Sequence, residues 1–225
     1  MTDPQKVRLP VAEGAEAEIW VQRAAKNPAR RTTLVLAQGA GGDVDETTLA
    51  AIAAGAADNG IDAVRLRFPY RVAGRKAPDT APKLEAAFRT VVRWAKEELS
   101  AGQVVVGGRS MGGRIASLMA VAGEPVTGLM FISYPLHPAG KEDKLRDTHL
   151  YVLQRPMLFV QGDRDALCRM PLMKPVIARL GERATLHVVE GGDHSFKVLK
   201  RSGRTTQEAH AEVIATALSW LRDVV

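Results

Sequence analysis

Val104-Val105-Val106-Gly107-Gly108-Arg109-Ser110-Met111-Gly112-Gly113-Arg114-Ile115 is the stretch whose reading decides the fold. Three consecutive β-branched residues make a strand buried on both faces. Ile115, Leu118, Met119 and Ala122 then recur at helical spacing. Between strand and helix the chain reverses through Gly108-x-Ser110-x-Gly112. So sharp a turn strains the serine and brings neighbouring backbone close, so a Cβ at either glycine would clash. The serine hydroxyl then stands above the sheet. The first amide of the following helix, Met111 N–H, is oriented toward any negative charge developing there. The five-residue pattern alone is common; its placement between a strand and a helix makes it specific.

Outward from this turn, short apolar runs alternate with helix-period segments. Ala17 to Gln22, Thr32 to Ala37, Ile61 to Leu66, Gln103 to Gly107, Thr127 to Ser133, Met157 to Gln161 and Ala184 to Glu190 read as strands. Leu49, Ile52, Ala53 and Ala56 mark a helix capped by Asp43 or Asp45 and stopped at Asn59-Gly60. Leu84, Phe88, Val91, Val92, Ala95 and Leu99 mark a long amphipathic helix. Pro171 to Leu180 and Gln207 to Arg222 read as two more. Arg67 to Pro82 reads as an irregular connection. With the weak Ala17 to Gln22 run set apart, six strands separated by helices predict an α/β fold: one mostly parallel central sheet flanked by helices. The 225 residues are read as a single domain with a core over 32–225, preceded by an N-terminal strand or strands and a loop over 1–31.

Composition narrows the function classes. The net charge is +6 and aromatic residues are 5% of the chain. The cations are dispersed and stacking platforms are few, so nucleic-acid binding is not expected. Cys168 is the one cysteine, which removes an intrachain disulfide and a cysteine-based zinc site. The start of the chain is polar, and no apolar run reaches the roughly 18 residues of a membrane span. A cytoplasmic protein with no membrane partner is the expectation. Phosphate-loop and dinucleotide motifs fail. Gly39-x-Gly41 has Val44 where a third glycine is needed, and Arg114-Ile115 replaces the Lys-Ser/Thr of a phosphate loop.

In parallel sheets ligands gather beyond the carboxyl ends of the strands, so the loops there hold the candidates. Ser110 needs a base and an orienting acid. Of five histidines, His194, in Gly191-Gly192-Asp193-His194-Ser195 after the last strand, is preferred as base. His137, in Tyr134-Pro135-Leu136-His137-Pro138, is the second candidate. His187 reads as packed in its strand, His210 as a surface residue, and His149 as part of a charged segment. Gln161-Gly162-Asp163-Arg164-Asp165 supplies the acid. Asp165 is preferred, and Asp163 is read as bonding backbone amides in the turn. The second oxyanion donor is expected from Gln38-Gly39-Ala40-Gly41-Gly42, as Ala40 N–H with Gly41 the alternative. Arg67, Arg71, Arg75 and Arg109 lie near strand ends. Arg71 and Arg75, with His137, are candidate substrate-binding residues, against the reading of a solvated basic loop.

These residues, in the order Ser110, Asp165, His194, resemble the α/β-hydrolase superfamily. Within it the chain resembles the compact KANL3/Tex30-like, dienelactone-hydrolase-related group. The resemblance rests on Gln38 to Gly42, Arg67-Phe68-Pro69-Tyr70, Gly74 to Asp79, Gly107 to Arg114, Tyr134 to Pro138, Gly162 to Asp165 and Gly192-Asp193-His194. It implies Ser110 as nucleophile, Asp165 as acid and His194 as base. Such proteins usually carry histidine where this chain has Gln38, a change expected to alter how the oxyanion loop is braced. About 22 residues separate Ser133 from Pro156, too few and too polar for a full cap domain, which implies an open pocket. The implied function is a serine hydrolase of a carboxylic ester, or related acyl bond, of a small substrate, needing no metal or cofactor. The alternative is a non-catalytic binding or scaffold protein on the same fold.

Overall fold

The structure, a computed structural model, describes residues 3–25, 32–43 and 45–225. Of the expected N-terminal segment, residues 1–2 and 26–31 lie outside the described residues. Among the described residues, eight strands form one sheet: β1 (Gln5–Pro10), β2 (Glu16–Gln22), β3 (Thr32–Ala37), β4 (Asp62–Arg67), β5 (Gln103–Arg109), β6 (Gly128–Ile132), β7 (Met157–Gly162) and β8 (Ala184–Val189). Their order is β1-β2-β4-β3-β5-β6-β7-β8. β1 and β2 run antiparallel to their neighbours; every pairing from β4 to β8 is parallel.

Alternation along the buried strands divides the core in two. Val35, Val104, Val106, Leu129 and Phe131 face one layer, under α3 (Ala81–Glu98), α4 (Met111–Val121) and α5 (Met170–Leu180). Leu34, Leu36, Val105, Met130 and Ile132 face the other, under α1 (Thr47–Asp58) and α6 (Thr206–Val224). Helices on both faces explain why β3, β6 and β7 are buried along their whole length. In α3, Leu84, Ala87, Phe88, Val91, Val92 and Ala95 make the buried stripe, the spacing of one face of an amphipathic helix.

Two local expectations change, and the N-terminal strands gain their bounds. β1 joins the sheet although its residues are mostly exposed. It is held by its ladder to β2 and by Lys6 and Arg8, which pair with the buried Glu18 at 3.0 and 3.1 Å. The cap of α1 is Glu46, whose carboxylate accepts from Leu49 N–H at 3.2 Å. Asp43 and Asp45 are instead drawn to Arg67 and Arg65. The connection after β4 contains one helical turn, α2 (Pro69–Val72), begun by a proline whose missing N–H costs nothing there.

Between β6 and β7 the chain makes only a 3-10 turn, Thr148–Val152, so among the described residues no cap domain covers the sheet. The basic run after β4 is countered by acids brought in by the fold: Arg67 meets Glu18 and Asp43, Arg71 meets Asp43, and Arg75 meets Asp79. Among the described residues, no helix is long and apolar enough to cross a membrane.

Candidate active site

β5 delivers Ser110 at the centre of the sheet. Its backbone is held at φ 51°, ψ −116°, a region that side chains rarely adopt. Ser110 N–H donates to Ile132 O at 2.9 Å and anchors the turn on β6. The flanking glycines are required by contact: a Cβ at Gly108 would lie 2.1 Å from Ala37 O, and one at Gly112 2.2 Å from the same oxygen. β3 and the turn are thus pressed together. Met111 begins α4, and the first amides of a helix have no partner within it.

The loop after β3 abuts this turn. A Cβ at Gly39 would lie 3.6 Å from Ser110 Cβ. The loop is pinned by its carbonyls. Gly42 N–H donates to Gly39 O at 3.2 Å, and the Tyr70 hydroxyl donates to Ala40 O at 2.8 Å. Peptide planarity then fixes the Ala40 and Gly41 N–H groups, each opposite a pinned carbonyl. The buried Gln38 donates from Nε2 to Gly42 O at 3.3 Å and lies 3.5 Å from Tyr70 Oη. Gln38 therefore braces the loop through an amide.

His194 reaches across from the loop after β8. Its Nε2 lies 2.9 Å from Ser110 Oγ and its Nδ1 2.7 Å from Asp165 Oδ2. An ionised carboxylate only accepts, so Nδ1 carries the hydrogen toward Asp165. Nε2 is then the acceptor facing the serine hydroxyl. Asp165 is fully buried. Its Oδ1 accepts from Leu167 N–H at 2.7 Å, and its Oδ2 also accepts from Gln161 Nε2 at 2.5 Å. The His194 loop is shaped by Asp193, whose Oδ1 accepts from Ser195 N–H and Lys197 N–H at 2.7 and 2.9 Å. Arg109 holds it from the other side, with Nη2 donating to Ser195 Oγ at 2.8 Å and to His194 O at 3.3 Å.

The structure thus brings Ser110, His194 and Asp165 into one hydrogen-bonded row. Asp163 stands outside the row, accepting from Gly191 N–H at 2.8 Å. His137 is fully buried, with Nδ1 3.0 Å from Pro138 O and Nε2 accepting from Arg169 N–H at 3.3 Å. That burial leaves it no face for a substrate, which corrects the expectation that it binds one. His210 is not a free surface residue either: it bonds Thr48 Oγ1 at 2.8 Å and packs edge-on to Phe196. His187 pairs with Glu212 at 2.7 Å. Arg71 lies 3.8 Å from Asp43 Oδ2, beside the loop after β3, and Arg75 pairs with Asp79 at 2.8 Å. Burial drives the Cys168 thiol strongly upward in pKa, with the Asp165 charge adding to the effect, so it is no thiolate nucleophile.

Sequence reasoning missed the two braces, Gln161 and Arg109. Gln161 had a signal: a polar residue ending an otherwise apolar strand. Arg109 gave none, because its partners lie 85 and 86 residues away.

A family model described as an alpha/beta hydrolase domain matches residues 30–222. The chain is similar in structure to an alpha-beta serine hydrolase homologue of Coxiella burnetii, with TM-score 0.77, 17% identity, and 98% of this chain and 99% of that one covered. It is similar to an α/β serine hydrolase without lid of Xanthomonas campestris, with TM-score 0.73, 20% identity, and 98% and 96% covered. A third likeness is to an esterase of Thermogutta terrifontis with propionate bound, at TM-score 0.75, 17% identity, and 99% and 94% covered. At these identities the likenesses speak for the fold.

Proposed function

The chain belongs to the alpha/beta hydrolase domain family, and from that premise we propose that it is a serine hydrolase of a carboxylic ester, or related acyl, bond. The observation that carries the reading is the row Ser110–His194–Asp165, with contacts of 2.9 and 2.7 Å. Ser110 Oγ attacks the substrate carbonyl carbon as His194 Nε2 takes its proton. Asp165 holds the ring and steadies the imidazolium. The new oxyanion is received by Met111 N–H and by Ala40 N–H, with Gly41 N–H as the alternative donor. His194 then returns the proton to the leaving alcohol, and the acyl group stays on Ser110. A water molecule, deprotonated by the same imidazole, releases the acid and restores the serine.

The short connection between β6 and β7 supports an open pocket and a small acyl substrate, as does the propionate bound to the Thermogutta esterase. We read residues 1–225 as one such domain. We read the motifs from Gln38 to His194 as those of the KANL3/Tex30-like, dienelactone-hydrolase-related group, and the single cysteine as in keeping with a cytoplasmic protein. The test is the intact mass after treatment with a small fluorophosphonate, for wild type beside Ser110→Ala. The reading expects one adduct on wild type, none on the variant, and turnover of short p-nitrophenyl esters by wild type alone. A folded wild type that takes no adduct and cleaves no ester overturns it in favour of a binding or scaffold role.

A further inference from the structure

A concave site lies on the same rim of the sheet, apart from the Ser110–His194–Asp165 row. It is a cavity of about 430 Å³ between the 3-10 turn Ala12–Gly14, which joins β1 to β2, and the start of α3. Val11, Ala12 and Ala15 form one wall, and Pro69, Ala86 and Ala87 the other. Small apolar side chains on both walls leave a slot for an aliphatic chain or flat ring. The volume falls within the range of small-molecule pockets, which are mostly apolar with a few placed polar groups.

The charged lining is Arg75, Asp79 and Lys83; Lys83 is already engaged elsewhere, and Arg75, half exposed, is the group placed to meet a ligand. It spends Nη1 on Asp79 Oδ1 at 2.8 Å. A guanidinium has five N–H donors in a planar fork, so the rest of the fork can take a second, incoming carboxylate. Asp79, mostly buried and itself in the lining, ties one nitrogen of the guanidinium down at the cavity.

We infer that this cavity is a binding site for an apolar-tailed monocarboxylate, its chain between Ala12 and Ala86 and its headgroup on Arg75. Pro69 in the cavity wall adjoins Tyr70, whose hydroxyl holds the loop after β3. The inference rests on the cavity alone and is independent of the hydrolase reading.

The experiment is methyl NMR on alanine-labelled full-length protein titrated with sodium octanoate, with 1-octanol as the uncharged control. The expected result is saturable shifts at Ala12, Ala15, Ala86 and Ala87. Arg75→Gln should weaken octanoate about tenfold, the value of one charge-assisted hydrogen-bonded contact, and leave 1-octanol unchanged. Ala86→Leu, which fills the slot, should weaken both. Arg75 is exposed, so its variant keeps the fold and the test decisive even if Ala86→Leu does not fold. Shifts confined to Ala40 beside Ser110, the absence of saturation, or equal octanoate affinity in Arg75→Gln would each overturn the inference.

Discussion

Arg109 Nη2 lies 2.8 Å from Ser195 Oγ, so the residue before the proposed nucleophile grips the residue after the proposed base. The same guanidinium reaches His194 O, and its Nη1 is 3.8 Å from Glu46, which caps α1. A strained turn and a loop 85 residues further on are thereby held at one spacing.

Arg109→Gln should therefore lower kcat on a short ester by about 10- to 100-fold, the cost of a misplacement of about 1 Å at a reacting pair. KM should move much less. Arg109→Lys restores charge but not the fork, and should recover only part of the loss. A steady-state comparison of the three proteins checks this. If Arg109 instead binds substrate, KM rises and kcat holds.

Asp165→Asn should cost about 10⁴-fold in kcat, because an amide can present a donor to Nδ1 and stabilise the wrong tautomer. Gln161→Leu should cost far less, about tenfold, since it removes one of three hydrogen bonds on the carboxylate and leaves His194 and Leu167 in place. The ordering of the two variants, read from kcat with folding checked by circular dichroism, tests whether Asp165 is the orienting acid. An Asp163→Asn variant should keep most of its activity, since that carboxylate bonds Gly191 N–H.

Tyr70→Phe removes the hydroxyl that pins Ala40 O. The expected stability loss is about 1 kcal/mol for one hydrogen bond, with a fall in kcat of about three- to tenfold as the amides opposite that carbonyl loosen. Thermal unfolding and ester kinetics measure the two effects separately. Unchanged kcat at reduced stability would assign Tyr70 to folding alone.

What could be read from the residues follows from the range of the forces involved. Gly108 and Gly112 were legible because a strand-to-helix turn that tight excludes a Cβ, and the contacts at 2.1 and 2.2 Å show the clash. The buried strands and α3 were legible because their apolar spacing is local. β1 was legible only as an N-terminal strand without bounds, because an edge strand whose Lys6 and Arg8 reach to Glu18 owes its place to β2. The cap of α1 was misassigned because Arg65 and Arg67 on β4 claim the two nearer aspartates. His210 and His137 were misread for the same reason: their partners, Thr48 and the backbone around Arg169, come from distant parts of the chain.

His149 sets a pH dependence of stability that does not involve the proposed active site. The Ser117 hydroxyl donates to Arg114 O at 2.7 Å and the Tyr134 hydroxyl to Arg146 O at 2.7 Å. Both oxygens are then left to accept from His149 Nε2–H, at 2.8 and 3.3 Å. Burial first, and the nearby Arg114 charge second, push the imidazole down from 6.5 to about 4. Between those values the unfolded chain binds a proton that the folded chain refuses, so stability rises with pH across the window. The contribution is fully present above pH 6.5 and is lost as pH falls toward 4. Urea unfolding of wild type and His149→Gln at intervals from pH 7 to pH 4 isolates it, because the carboxylates titrate alike in both proteins. The gap between the two stability curves should be widest at pH 7 and shrink steadily on acidification, with wild type losing more. Parallel curves would show that His149 protonates in the folded state as readily as in the unfolded one.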